Sequence, residues 1–194
     1  GAMNAAFVPV FTEYREKEPE ADFRNLLASA MGVMALVLTV LSLAGVFLVP
    51  ALIQAVDALR VFTGAAPRAH EELQLAARLA RWTFPYLFFI GMTVFAMGPL
   101  FTLRQYAAPS WSPCLLNVAI ILSCVLFRDG LPWIGGDPAW ALVAGVWLGG
   151  LTQLALLQYA LWKQSGVWRP TFRLTHPGVK RIMLLMGPVI VGQA

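Results

Sequence analysis

"NLLASAMGVMALVLTVLSLAGVFLVPALIQAV" (residues 25–56) runs for about 32 residues between Arg24 and Asp57 without a charged side chain. A helix needs roughly 20 apolar residues to cross the hydrocarbon core of a bilayer, and a charge at its centre costs about 2.5–3.5 kcal/mol. With its apolar heart at Ala28–Val49, the stretch therefore reads as a membrane span. Three more charge-free windows follow, of about 22, 23 and 25 residues, between Arg81 and Arg104, Arg104 and Arg128, and Asp137 and Lys163. Residues 1–12 read as the end of an earlier span and 182–194 as the start of a later one. The predicted fold is an all-α polytopic membrane helix bundle. Its four complete spans lie at about 26–52, 82–103, 106–127 and 139–162, with a partial span at each end. Composition agrees: 59% of the 194 residues are hydrophobic and only 12% are charged, against about 25% charged in a typical globular domain.

Flanking residues support the same division. Trp82 and Tyr86 open the second complete span, Tyr106 and Trp111 the third, and Trp162 closes the fourth. An apolar ring with a polar tip suits the headgroup layer. The loops at 11–24, near 104 and at 163–181 hold nine of the 14 Lys and Arg residues, and 57–81 with Arg128 holds five. Positive-inside reasoning makes the first set cytoplasmic. "HEELQLAARLARW" (70–82) mixes leucines and charges at near-helical spacing and predicts a helix lying on the interface. "EYREKEPEADFRN" (13–25) reads as a solvated mixed-charge connector. The opening "GAM" lacks an initiator methionine, a basic n-region and a cleavage site, and the last apolar run stops after about 13 residues. These ends predict a piece of a longer protein that starts in mid-helix.

Polar and helix-breaking residues inside the spans carry the functional signal. Pro109, Pro113 and Asn117 fall four apart in "AAPSWSPCLLN" (107–117), and a four-residue step turns a helix by only about 40°. The three therefore predict a shared stripe, facing other helices or an aqueous cleft. Asn4, Gln153, Thr39, Ser110 and Ser112 are further polar groups in or beside spans; such groups bond neighbouring helices or line cavities. Pro113, and Pro188 after Gly187, lie deep enough to release backbone carbonyls, as in the bent helices of transporters. "GVWLG" (145–149), followed by Gly150, predicts close helix–helix approach, as do Gly91 and Gly98.

Catalytic and metal-binding patterns do not emerge. "HEELQ" lacks the second histidine of a zinc-protease motif. Asp129 and Asp137 flank a short turn and read as solvated. Cys114 and Cys124 lie ten residues apart on one predicted helix, a rise of roughly 15 Å that precludes pairing. The charge lies in loops and forms no basic stripe for nucleic acid. The residues therefore predict no catalytic group, metal or cofactor.

"GA-NAAFVPVFTEY" (1–14), "FPYLFFIGM" (84–92), "AAPSWSPCLLN" (107–117) and "MGPVIVG" (186–192) together resemble the MurJ (MviN) lipid II flippases, part of the multidrug and lipid-linked oligosaccharide or polysaccharide exporter superfamily. The resemblance covers essentially the whole chain. It implies a two-lobed protein of about fourteen helices, of which this chain runs from the end of helix 2 to the start of helix 7. The activity it implies is transfer of lipid II, an undecaprenyl-pyrophosphate-linked muropeptide, from the inner to the outer leaflet of the bacterial inner membrane. Alternating access would move it, with partners limited to lipid II, membrane lipids and the remaining helices. The family's cavity arginines lie mainly in helices 1 and 8, outside this chain. Asn4 and Asn117 remain as cavity candidates, with Glu13, Pro109, Pro113 and Pro188 as gate or structural candidates and Tyr14 beside Glu13 in the same motif. Another exporter of the superfamily, or a non-transporting scaffold, is the alternative.

Overall fold

The computed structural model describes residues 2–64, 66, 69–130, 136–173 and 176–192, with side chains from Phe7 to Leu185 within them. Seven helices account for most of these: α1 (Ala2–Lys17), α2 (Glu20–Phe62), α3 (His70–Thr83), α4 (Tyr86–Thr102), α5 (Ala107–Leu126), α6 (Trp140–Ser165) and α7 (Pro177–Gly192). Among the described residues, four helical stretches are long and apolar enough to cross a membrane: α2, α3 with α4, α5 and α6.

The connector at 13–25 is a correction to the sequence reading, because helix runs to Lys17 and resumes at Glu20. Glu13 with Lys17, and Glu20 with Arg24, are i,i+4 ion pairs that support the ends of the two helices. Helix α2 also continues well past its apolar heart. Its 43 residues span about 64 Å at 1.5 Å per residue, roughly twice a hydrocarbon core. Helix α3 is the amphipathic segment, and its junction with α4 is only Phe84–Pro85, both in helical conformation.

Helix α6 is central, packed on α5 and α4; α1 packs on α4 and α7, and α2 on α3 and α4. Small residues make the approach possible. A Cβ on Gly145 would lie 2.7 Å from the Ile120 Cα, and one on Gly149 would lie 3.0 Å from the Leu116 Cα. The GxxxG face of α6 is thus the seat of α5. Gly150 faces Tyr86 and Phe89 of α4, and Gly91 of α4 receives Leu38 of α2. In lipid the apolar effect does not drive such contacts, so dense packing must. The core shows it: Phe7 and Phe11 of α1 pack on Phe95 of α4, with Phe7 edge-on to Phe95 at 5.3 Å, and Phe23 of α2 packs edge-on to Phe11.

The loops gather on two faces. On the first, Arg15 donates to the Thr102 carbonyl, joining the ends of α1 and α4. The segment after α6 turns back at Gly166, whose φ of 71° suits glycine, and lays Thr171 across α2, donating its N–H to the Ala28 carbonyl at 2.9 Å. Gly32 makes room, since a Cβ there would meet the Thr171 carbonyl carbon at 2.8 Å. On the second face, the Trp147 indole N–H donates to the Trp82 carbonyl at 2.8 Å, and Leu79 and Phe127 pack on the cluster of Trp140 and Val143.

Candidate functional site

Helix α5 presents three sectors. Ser112 and Ser123 are buried against α6, where Ala119 and Ser123 meet Gly145. Pro109 is buried, whereas Pro113 and Asn117 are exposed. Pro113 and Asn117 therefore do not pack on α6 within this bundle. The reason is the drift itself: two steps of about 40° carry Asn117 about 80° round the helix from Pro109, out of the α5–α6 contact. Ser110, Pro113 and Asn117 fall within about 60° of one another and form a polar exposed sector, while Trp111, Val118 and Leu122 form an apolar exposed sector about 120° further round.

The buried amide of α6 is the better-packed polar group. Gln153 donates through Nε2 to the Ser112 carbonyl at 2.8 Å, joining α6 to α5. Among the described residues, its Oε1 and the Ser112 Oγ have no partner. Thr39 and Ser110 instead donate to carbonyls one turn back, Ala35 and Tyr106, at 2.7 and 2.8 Å. Each satisfies its hydroxyl on its own helix.

On the first face, Glu13 lies at the end of α1. Its Oε2 lies 2.8 Å from Arg181 Nη1 of α7, an ion pair, and its Oε1 lies 3.8 Å from Lys17 Nζ. Tyr14 packs on His176 at 6.0 Å between ring centroids. Gly178 donates its N–H to His176 Nδ1 at 3.2 Å. Burial pushes the His176 pKa below its ordinary value, opposed by the Asp22 carboxylate and reinforced by Arg173. The sequence reading named Glu13 and Tyr14 without their partners; no local pattern links them to Arg181 or His176.

The side chains of Asn4 and Pro188 lie outside the described residues, as do residues 131–135 of the Asp129–Asp137 loop. Asp137 Oδ1 accepts the Ala139 N–H at 2.8 Å just before α6, and Asp129 is exposed beside Arg128.

Four lengths of apolar helix, tied by small residues and interhelical hydrogen bonds and joined by charged loops, define a multi-pass, all-α membrane protein. The chain belongs to the lipid II flippase MurJ family, which it matches over residues 1–194. It is 35% identical over 195 residues to the probable lipid II flippase MurJ of Vibrio cholerae, covering 99% of this chain and 36% of that protein. The lipid II flippase MurJ of Burkholderia cenocepacia is 32% identical over 191 residues, covering 97% of this chain and 35% of that protein. The probable lipid II flippase MurJ of Haemophilus influenzae is 31% identical over 196 residues, covering 99% and 37% respectively. The chain thus spans little more than a third of the length of these relatives.

Proposed function

We propose that this chain supplies the end of helix 2 to the start of helix 7 of a lipid II flippase of the bacterial inner membrane. That protein moves the lipid-linked peptidoglycan precursor from the inner to the outer leaflet by alternating access. The family match over residues 1–194 carries this reading, and the geometry of α5 supports it. An amide facing hydrocarbon is costly. The sector of Ser110, Pro113 and Asn117 therefore faces a hydrated passage shared with the protein's other helices, and the Trp111–Val118–Leu122 sector faces lipid. A pyrophosphate-linked headgroup needs such a passage, whereas its polyisoprenyl tail can stay in the bilayer. No bond is made or broken, so no catalytic group is needed.

The first face is cytoplasmic in this reading, because it carries nine of the 14 Lys and Arg residues. The Glu13–Arg181 pair then closes α1 against α7 on that side and opens as access alternates. Asn4, on α1, is the further cavity candidate, and Pro188 a bend in α7. The test is complementation: the full-length protein should sustain growth of cells depleted of their own lipid II flippase. No rescue despite normal membrane levels would overturn the assignment.

A further inference from the structure

On the second face, α2 and α3 enclose a cleft of about 460 Å³. Helix α2 contributes Pro50 and Gln54, and α3 contributes His70, Gln74, Arg78 and Arg81 from successive turns. Leu73 and Ala77 of α3 complete the lining, while Leu79 on another face packs with the Trp140–Val143 cluster of α6. The Arg81 guanidinium carbon sits 5.9 Å from the centroid of the Phe47 ring, a cation–π contact that fixes its position over α2. His70 and Gln74 are joined through their Nε2 atoms at 2.8 Å. Among the described residues, neither Arg78 nor Arg81 has a carboxylate within ion-pair distance, and the nearby Asp57 is paired with Arg60.

Depth identifies the anion these cations suit. Counting from Ala28, where the apolar heart of α2 begins, Phe47 lies about 29 Å along the helix, at the far edge of a hydrocarbon core about 30 Å thick. Gln54 lies about 10 Å further, in the headgroup layer. The abundant anion of that layer is a phosphodiester, which arginine grips through parallel N–H bonds. Below the cleft, Val40, Leu43 and Phe47 are exposed and share one stripe of α2, an apolar track for acyl chains.

We propose that this cleft binds an anionic phospholipid, with Arg78 and Arg81 on the phosphate and the chains along Val40, Leu43 and Phe47. This goes beyond the flippase assignment and does not depend on it. The test is native mass spectrometry of the full-length protein in mild detergent, titrated with phosphatidylglycerol and, separately, with phosphatidylcholine. Phosphatidylglycerol should bind the wild type more tightly than phosphatidylcholine, and R78Q/R81Q should lose about tenfold in that affinity, the worth of a charged hydrogen bond. R128Q, on the same face but away from the cleft, should bind as the wild type does, and millimolar inorganic phosphate should not displace the lipid. Equal lipid binding by wild type and R78Q/R81Q would overturn the proposal. So would an equal loss in R128Q, which would mark bulk charge, or displacement by inorganic phosphate, which would mark a free-anion site. Absence of lipid binding by the wild type would mean that another part of the protein fills the cleft, and would also overturn it. Should the double variant fail to stay monodisperse, R78Q decides: its exposed side chain can be removed without disturbing packing, and unchanged binding in it refutes the site.

Discussion

Gln153 and His176 show how differently a polar side chain behaves inside and outside a membrane span. Among the described residues, Gln153 makes one interhelical hydrogen bond, to the Ser112 carbonyl, and its own Oε1 has no partner. Interhelical bonds of this kind average about 0.6 kcal/mol in a membrane protein. Gln153→Leu should therefore change the stability of the detergent-solubilised protein by less than about 1 kcal/mol. Thermal unfolding measures this, and a loss of several kcal/mol would show that the amide supports more than the α5–α6 contact. His176 lies in a loop, where burial lowers its pKa; its Nδ1 must stay unprotonated to accept the Gly178 N–H. Its lowered pKa contributes stability that is fully present above the unfolded value, about 6.5. That stability falls as pH drops through the folded value, because the unfolded chain takes the proton first. Melting temperature should fall between pH 7.5 and pH 5, and His176→Phe should flatten the histidine's part of that slope.

At the level of elements, the α5–α6 contact was the most legible in the sequence. The GxxxG pattern at 145–149 announces a close approach, and both glycines meet α5. The two are not equivalent. A methyl at Gly145 would press on the Ile120 Cα at 2.7 Å, whereas at Gly149 the nearest atom, 2.6 Å away, is the movable end of the Leu116 side chain. Gly145→Ala should thus cost about 1–3 kcal/mol, and Gly149→Ala less. Paired unfolding measurements check the order, and the reverse order would contradict this packing. Other features were not legible for identifiable reasons. The turn between α4 and α5 ends in a Schellman arrangement, with Gln105 N–H on the Leu100 carbonyl at 2.8 Å. Arg104 holds its left-handed position at φ 55°, where glycine is usual, so the expected signal is missing. The strap that crosses α2 at Gly32 rests on backbone bonding to Ala28, which no side-chain pattern encodes. Pro109 and Asn117 part because four-residue spacing gives a stripe that winds round the helix; over two steps the winding outruns the width of the α5–α6 contact.

At the scale of the molecule, the spans were readable because hydrocarbon tolerates few charges, and the two loop faces because Lys and Arg divide unequally between them. The partner of Glu13 was not, since Arg181 lies on a helix near the other end of the chain. That pair is partly exposed on both sides, so screening leaves it worth under about 1 kcal/mol. Its proposed role is in the gate. Glu13→Arg should impair complementation with little change in melting temperature, and adding Arg181→Glu should restore growth. A silent Glu13→Arg would remove the gate role. The central claim is that the polar sector of α5 faces water within the membrane. The direct measurement is labelling of single cysteines in the full-length protein, with Cys114 and Cys124 replaced, by a water-soluble maleimide in native membranes. Cysteine at position 117 should react and cysteine at position 122 should not; equal protection of both would place Asn117 against lipid or protein and contradict the account.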